Sequence, residues 1–251
     1  MRYLVLGMHK SGTTLIARLL HHAGINMVTE TSSTHYEEGN YYEREATYRI
    51  NLELLNAEPD ALELHQLPRR VNANPALCSR TQLLIENLDQ QYADWGFKDP
   101  RTCLVYEAWR EVMGEHKIIV IFRPVQDLWH RFDYHGIKVW RKFTNCIRLV
   151  ERWCEYNHAI LSVLKATVMP FVVVSYPHFI QSDDEYNRLQ TFIGRSIPDQ
   201  RHTTDHMTQY PEWLFALAIQ IVRQWAGYDY YDIYHQLDNY RTSANHSGKL
   251  L

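Results

Sequence analysis

Apolar and polar positions follow two distinct rhythms along this chain. Three short stretches are apolar almost without interruption, Tyr3-Leu4-Val5-Leu6, Lys117–Phe122 (KIIVIF) and Pro170–Ser175 (PFVVVS), and Asp94–Lys98 (DWGFK) reads as a further short strand that stops at Asp99-Pro100. A strand covered on both faces reads as a continuous apolar run rather than an alternation. KIIVIF is the strongest of the four because β-branched and aromatic residues fill it. Between these runs the apolar residues return every three or four positions, the period of a helix with one buried face. Thr14 to Ala23 carries Leu15, Ile16, Leu19, Leu20 and Ala23, with Gly24 placed to cap its C-terminus. Further helices are predicted over 43–55, 81–92 and 145–165, the last with Val150, Trp153, Cys154, Leu161 and Leu164 on one face, and near 185–193 and 212–225.

The segment 26–42 has no period and reads as a loop. Pro59, Pro68 and Pro75 break 58–79 into irregular or short helical structure, and a polar tail is expected from about 236 to 251. There is no internal repeat. Strands alternating with helical segments predict an α/β fold, a central parallel sheet flanked by helices, in a single domain over 1–251.

Composition narrows the function classes. A chain of 251 residues removes roughly 70–75% of its unfolded surface from water, enough for one full core. Hydrophobic residues at 45% and charged ones at 22% exclude a disordered chain. With 26 Lys+Arg against 29 Asp+Glu, no net positive field favours nucleic acid, although a local basic pocket is compatible with that balance. Cys78, Cys103, Cys146 and Cys154 show no CxxC or zinc spacing and read as reduced thiols. No apolar run reaches the length of a membrane span, and the first one is too short for a signal sequence. A cytoplasmic protein is expected, of open oligomeric state.

The chemistry concentrates in Gly7-Met8-His9-Lys10-Ser11-Gly12-Thr13-Thr14, which follows the first strand and opens the first helix. Successive backbone N–H groups and a helix N-terminus make such a loop an anion cradle. The glycines permit tight turns, Lys10 adds a mobile positive charge, and Thr13 and Thr14 add hydroxyls. A nucleotide-hydrolysing loop reads GxxxxGK[ST]. Here Thr13 follows the glycine, and the central strand is followed by Arg123 rather than a metal-binding acid. A Mg-ATP-dependent small-molecule or nucleotide kinase is therefore the alternative, not the first reading.

The ordered set of motifs resembles the sulfotransferase family that uses 3′-phosphoadenosine 5′-phosphosulfate (PAPS). Lys10-Ser11-Gly12-Thr13-Thr14 matches its phosphosulfate loop. Glu38-Gly39-Asn40-Tyr41-Tyr42-Glu43 is loosely similar to a segment of bacterial members, and Lys98-Asp99-Pro100-Arg101 matches their KDPR. Arg123-Pro124, Arg152-Trp153 and Tyr156-Asn157 extend the resemblance over about residues 1–195.

The resemblance implies a P-loop-like fold and transfer of a sulfuryl group from PAPS to an acceptor, a hydroxyl of a carbohydrate or small metabolite, without a metal. It implies that Ser11, Gly12, Thr13 and Thr14 hold the 5′-phosphosulfate. Lys10 and Lys98 then neutralise the departing charge, and Arg123 grips the 3′-phosphate. Two departures stand out. Where the family carries a serine eight residues after that arginine, this chain has Arg131, either a substitute phosphate ligand or a surface residue. Pro100 occupies the position of the histidine base of animal members. Other branches use a glutamate after the first helix, which makes Glu43 the favoured base, with Glu30, His35 and Glu38 behind it. These departures also keep open a non-catalytic nucleotide-binding relative.

Other features read as structural. His202 and His206 form a surface pair, His21-His22 ends a helix, Arg69-Arg70 is solvated, and Asp99 caps or pairs with Arg101 or Lys98. Trp140, Trp153 and the tyrosines of 228–234 are expected in packing.

Overall fold

The computed structural model describes residues 1–28, 42–57, 74–132, 139–201 and 211–243, with the backbone alone at 131, 132 and 139. All four predicted strands are present: β1 (Arg2–Leu6), β2 (Trp95–Lys98), β3 (Lys117–Phe122) and β4 (Phe171–Ser175). They form one parallel sheet in the order β2-β1-β3-β4.

Ten helices are described: α1 (Thr13–His22), α2 (Glu45–Leu55), α3 (Pro75–Gln91), α4 (Thr102–Met113), α5 (Trp129–Phe132), α6 (Val139–Ala166), α7 (Tyr176–Gln181), α8 (Asp183–Ile193), α9 (Glu212–Ala226) and α10 (Tyr230–Thr242). Successive strand residues face opposite sides of the sheet. Tyr3, Val5, Ile119 and Ile121 therefore pack with Ile16, Leu20 and Leu189 of α1 and α8. Leu4, Leu6, Ile118, Val120 and Phe122 pack on the other side with residues of α2, α3, α4, α6, α9 and α10. Two covered faces are why the strands carry no alternation.

Several elements differ from expectation. Pro75 starts α3 instead of breaking it: it occupies the first turn, where its missing N–H costs nothing, and the Asn74 side chain accepts from the Leu77 N–H at 2.8 Å. Helix α6 begins at Val139, six residues before the expected start. The supposed polar tail is still helical through Thr242, anchored by Asp229 at the N-cap of α10 and by fully buried Leu237. Trp153 lies in the core as expected, its indole donating to the Arg123 carbonyl at 2.7 Å, but Trp140 does not: it is 60% exposed on the first turn of α6. Gly24 follows the C-cap Ala23 of α1 in the left-handed region expected of it. The four cysteines are free thiols, and burial pushes that of Cys103 up to about 12, so it is inert. No helix among the described residues is long and apolar enough to cross a membrane.

The end of β2 is held by a polar knot inside the α2–α4 layer. Asn51 of α2 donates to Asp99 Oδ2 at 3.0 Å and to Thr102 Oγ1 at 2.8 Å, and accepts from the Trp109 indole at 2.7 Å. All four residues are buried. Replacing one member leaves its partners desolvated and unbonded, which costs more than the bonds themselves gain. Asn51→Leu is therefore expected to lower unfolding free energy by about 3 kcal/mol, read as a lower urea midpoint at unchanged slope.

Candidate functional site

Because the strands are parallel, Gly7, Asp99, Arg123 and Tyr176 all follow the same edge of the sheet, at the strands' carboxyl ends. Open α/β sheets bind ligands there. The loop from Gly7 to Gly12 crosses the middle of that edge and leads into α1. A Cβ at Gly7 would lie 2.5 Å from the Ile121 carbonyl, and one at Gly12 would lie 2.3 Å from the Tyr176 ring. Gly12 also sits at φ 103° and Lys10 at φ 65°, so two left-handed residues bend the loop back on itself. The Ser11 N–H donates to the Met8 carbonyl at 3.1 Å and closes the turn.

The first N–H groups of a helix have no intrahelical acceptor. Gly12, as N-cap of α1, brings no side chain to cover them, and the first turn holds no acid. Beside it, Ser11 Oγ and both ring nitrogens of His9 are buried without a hydrogen-bond partner among the described residues. Buried polar atoms are normally bonded, so an uncapped helix end next to orphaned donors marks a place built for an anion.

His9 was not singled out from the sequence, and the structure puts it at the centre of the cluster. Its ring meets Tyr156 edge-on at 5.6 Å. Burial first, and then Arg101, Lys98, Lys10 and Arg152, hold its imidazole well below its ordinary range, so it is neutral at pH 7. These same four cations define the electropositive wall. Lys98 Nζ lies 2.5 Å from Glu43 Oε1, Arg101 pairs with Asp99 at 2.7 Å, and Arg152 pairs with Glu155 at 2.7 Å. Asp99 thus has the structural role expected of it, and also accepts from the Arg101 backbone N–H.

Glu43 and Lys98, proposed from separate segments, form one ion pair. Glu43 precedes α2 rather than lying within it, because Arg44 is the N-cap residue. The Arg44 guanidinium is itself fully buried and donates to the Gly96 carbonyl at 2.9 Å and the Asn26 carbonyl at 2.7 Å, which fixes the segment against β2. Burial pushes the Glu43 carboxyl above its usual range, and the pull of Lys98 in the other direction does not cancel it.

Arg123 is buried at the end of β3. Its guanidinium stacks on the Tyr176 ring at 4.4 Å, and its Nε lies 3.8 Å from Asp127. Tyr176 touches both Gly12 and Arg123, so one ring spaces the loop from the arginine. Thr13 is buried, while Lys10 and Thr14 are half-buried. Arg131 lies on α5, but its side chain falls outside the described residues, as do Glu30, His35, Glu38, Arg69, Arg70, His202 and His206. At the end of α1, His22 is exposed as expected, whereas half-buried His21 accepts from the Met27 N–H at 3.4 Å. Together these residues offer an anion cradle, a ring of cations and a half-buried carboxylate, Glu43, beside a lysine.

No family profile and no curated protein sequence matches the chain. Among solved structures, it is similar to the sulfotransferase domain of the Synechococcus PCC 7002 olefin synthase. The identity is 14% over 95% of this chain and 94% of that domain, with a TM-score of 0.51. A sulfotransferase domain from the curacin biosynthetic pathway is 12% identical over 94% and 96% of the two chains, with a TM-score of 0.47. A sulfotransferase from Mycobacterium tuberculosis H37Rv is 14% identical over 89% and 75%, with a TM-score of 0.45. The fold assignment rests on the first of these. The parallel β2-β1-β3-β4 sheet, the loop between β1 and α1 and the overlap along nearly the whole length together establish that this chain has the fold of a sulfotransferase domain.

Proposed function

We propose that this chain is an enzyme that transfers a sulfuryl group from PAPS to a hydroxyl of a carbohydrate or small-molecule acceptor. The observation that carries the reading is the pairing of two features on one sheet edge. One is the uncapped, Gly12-led N-terminus of α1 with orphaned His9 and Ser11. The other is the pair of half-buried Glu43 and buried Lys98 at the neighbouring strand end. The residues present fit the donor: a cradle that a Cβ would fill at Gly12, and buried donors that lack partners.

PAPS, when bound, supplies the sulfuryl group and a bisphosphate leaving group. The protein's own work is then positioning and charge neutralisation. Backbone N–H groups from Gly12 to Thr14 and the Ser11 hydroxyl hold the 5′-phosphosulfate oxygens, with Lys10 beside them. Arg123, steadied by the Tyr176 ring, holds the 3′-phosphate through charge-assisted hydrogen bonds. Glu43 Oε1 accepts the acceptor hydroxyl proton, and Lys98 neutralises charge on the departing oxygen. Neutral His9 contributes hydrogen bonding to the cradle without adding a fifth positive charge.

A thermal-shift titration is the direct check. 3′,5′-Adenosine bisphosphate at about 100 times its dissociation constant is expected to add roughly 2.7 kcal/mol of stability. ADP and Mg-ATP are expected to add much less. Stabilisation by Mg-ATP alone would establish the kinase instead, and no response to any of the three would leave a protein that does not use this loop for nucleotides.

Lys10→Ala is expected to cut PAPS-dependent transfer, followed with labelled donor across a panel of hydroxylated acceptors, by about 10²–10³-fold while the melting temperature holds. Glu43→Gln should lower the rate by about 10²–10⁴-fold. The pH profile adds a sign. A base works deprotonated, and burial raises this carboxyl, so kcat/KM of the wild type should climb with pH through a value above the ordinary carboxylate pKa of 4.5. An unchanged acid limb in Glu43→Gln would move the proton transfer to another residue.

A further inference from the structure

We propose that α9 is the seam of a two-fold homodimer, in which two copies of the helix pack antiparallel. The helix (EWLFALAIQIVRQWA) buries Leu214, Phe215, Ala218, Ile219 and Val222 against its own chain. Its opposite side is not the charged face such a helix normally presents to water. Trp213 is 66% exposed and Leu217 is 39% exposed, with Ala216, Gln220 and Gln224 around them, and Tyr231 of α10 stands beside them at 55%. A groove of about 580 Å³ runs between the two helices, lined by Trp213, Leu217, Gln220, Arg223, Asp229 and Tyr231.

The charges on this face select a second copy as the occupant. Trp213, Leu217, Gln220 and Gln224 stand at the i, i+4, i+7 and i+11 spacing of a single stripe. Glu212 and Arg223 stand eleven residues apart along one edge of it, about three turns. Arg223 lies 3.2 Å from Asp229 of its own chain and is 67% exposed, so its fork of five donors can take a second carboxylate. An isologous interface makes every contact twice. Antiparallel pairing about a point between Leu217 and Ala218 sets Glu212 of each copy against the other copy's Arg223. It packs Leu217 on the same region of the other copy and sends the Trp213 ring into the groove beside Gln220 and Tyr231. The groove is within the 300–1,000 Å³ range of sites that take drug-sized molecules, so an indole fits. A parallel pairing would place glutamate on glutamate and arginine on arginine.

The area agrees with this. Trp213, Leu217 and Tyr231 expose on the order of 300 Å² of apolar surface per copy. Two copies thus bring about 600 Å² of apolar surface, and the stems of the flanking residues extend it toward the roughly 1,200 Å² at the low end of specific interfaces.

Sedimentation equilibrium on the full chain, from about 1 to 100 µM, tests the assignment. The expected mass is twice the 29.9 kDa of one chain. Leu217→Glu should weaken association at least 100-fold, with a melting temperature equal to that of the wild type when both are diluted to monomer. Should that variant melt lower, Trp213→Ala, farther from the core, takes its place. Glu212→Arg should weaken the dimer about 10-fold by setting like charges together, and adding Arg223→Glu should restore most of the loss. A wild type that stays monomeric at 100 µM overturns the proposal, and so does a dimer indifferent to all four changes.

Discussion

The Asp99 carboxylate has no access to solvent, and the arrangement around the site depends on keeping it satisfied. An ion taken out of water is tolerable only when its partners replace the lost hydration. Asp99 has the Arg101 guanidinium and backbone N–H on one oxygen and the Asn51 amide on the other. Each partner belongs to a different part of the architecture. Arg101 opens α4 and lies over the Tyr48 ring of α2, and Asn51 joins α2 to Trp109 of α4. One buried charge thus fastens the end of β2 to two helices. The same fastening fixes where Lys98, one residue earlier, presents its ammonium.

Around that anchor the site gathers charge. Lys10, Lys98, Arg101 and Arg152 all act on His9, with Glu43 against Lys98, Asp99 against Arg101 and Glu155 against Arg152. A protonated histidine in the middle would add repulsion to a wall already positive, and burial together with those cations keeps His9 neutral instead. The loop makes a matching concession in its backbone. Lys10 sits in the left-handed region, which costs a non-glycine residue of order 1 kcal/mol or more. Such strain persists where the surroundings over-determine it, and here the close contacts at Gly7 and Gly12 leave the chain no other path.

How much of this the sequence disclosed follows from the kind of signal each part emits. The four strands were legible because burial on both faces makes their composition unmistakable. The phosphate loop was legible because glycines, lysine and hydroxyls stand together between a strand and a helix. Helix α4 escaped notice although Cys103, Tyr106, Trp109 and Met113 follow a helical period. Helix α10 was hidden by its polar composition, since only Tyr230, Ile233 and Leu237 are buried. Trp140 was misplaced because an indole signals burial on average, and the first turn of α6 extends beyond what covers the rest. His9 and Arg44 lie in aperiodic segments, where no pattern separates a buried polar residue from a solvated one. Glu43 was reached through resemblance. What the sequence did not disclose is that its partner would be Lys98, fifty-five residues away, because that contact exists only once α2 has docked on β2.

That contact shapes the proposed reaction more than either residue alone. At 2.5 Å, Lys98 and Glu43 largely cancel each other, so the resting site spends little of its positive field on them. In the transfer as proposed, a hydroxyl proton moves onto Glu43 as negative charge gathers on the departing oxygen. Protonation removes the carboxylate charge that had compensated Lys98. The ammonium is then uncompensated at the moment its charge is of use, with no side chain needing to travel. An interaction that strengthens only as the reaction proceeds accelerates it, whereas one equally strong beforehand does not. A carboxyl already raised by burial lowers the cost of that protonation. In the proposed transfer the pair is a single device whose two ends serve the incoming and the outgoing oxygen in turn.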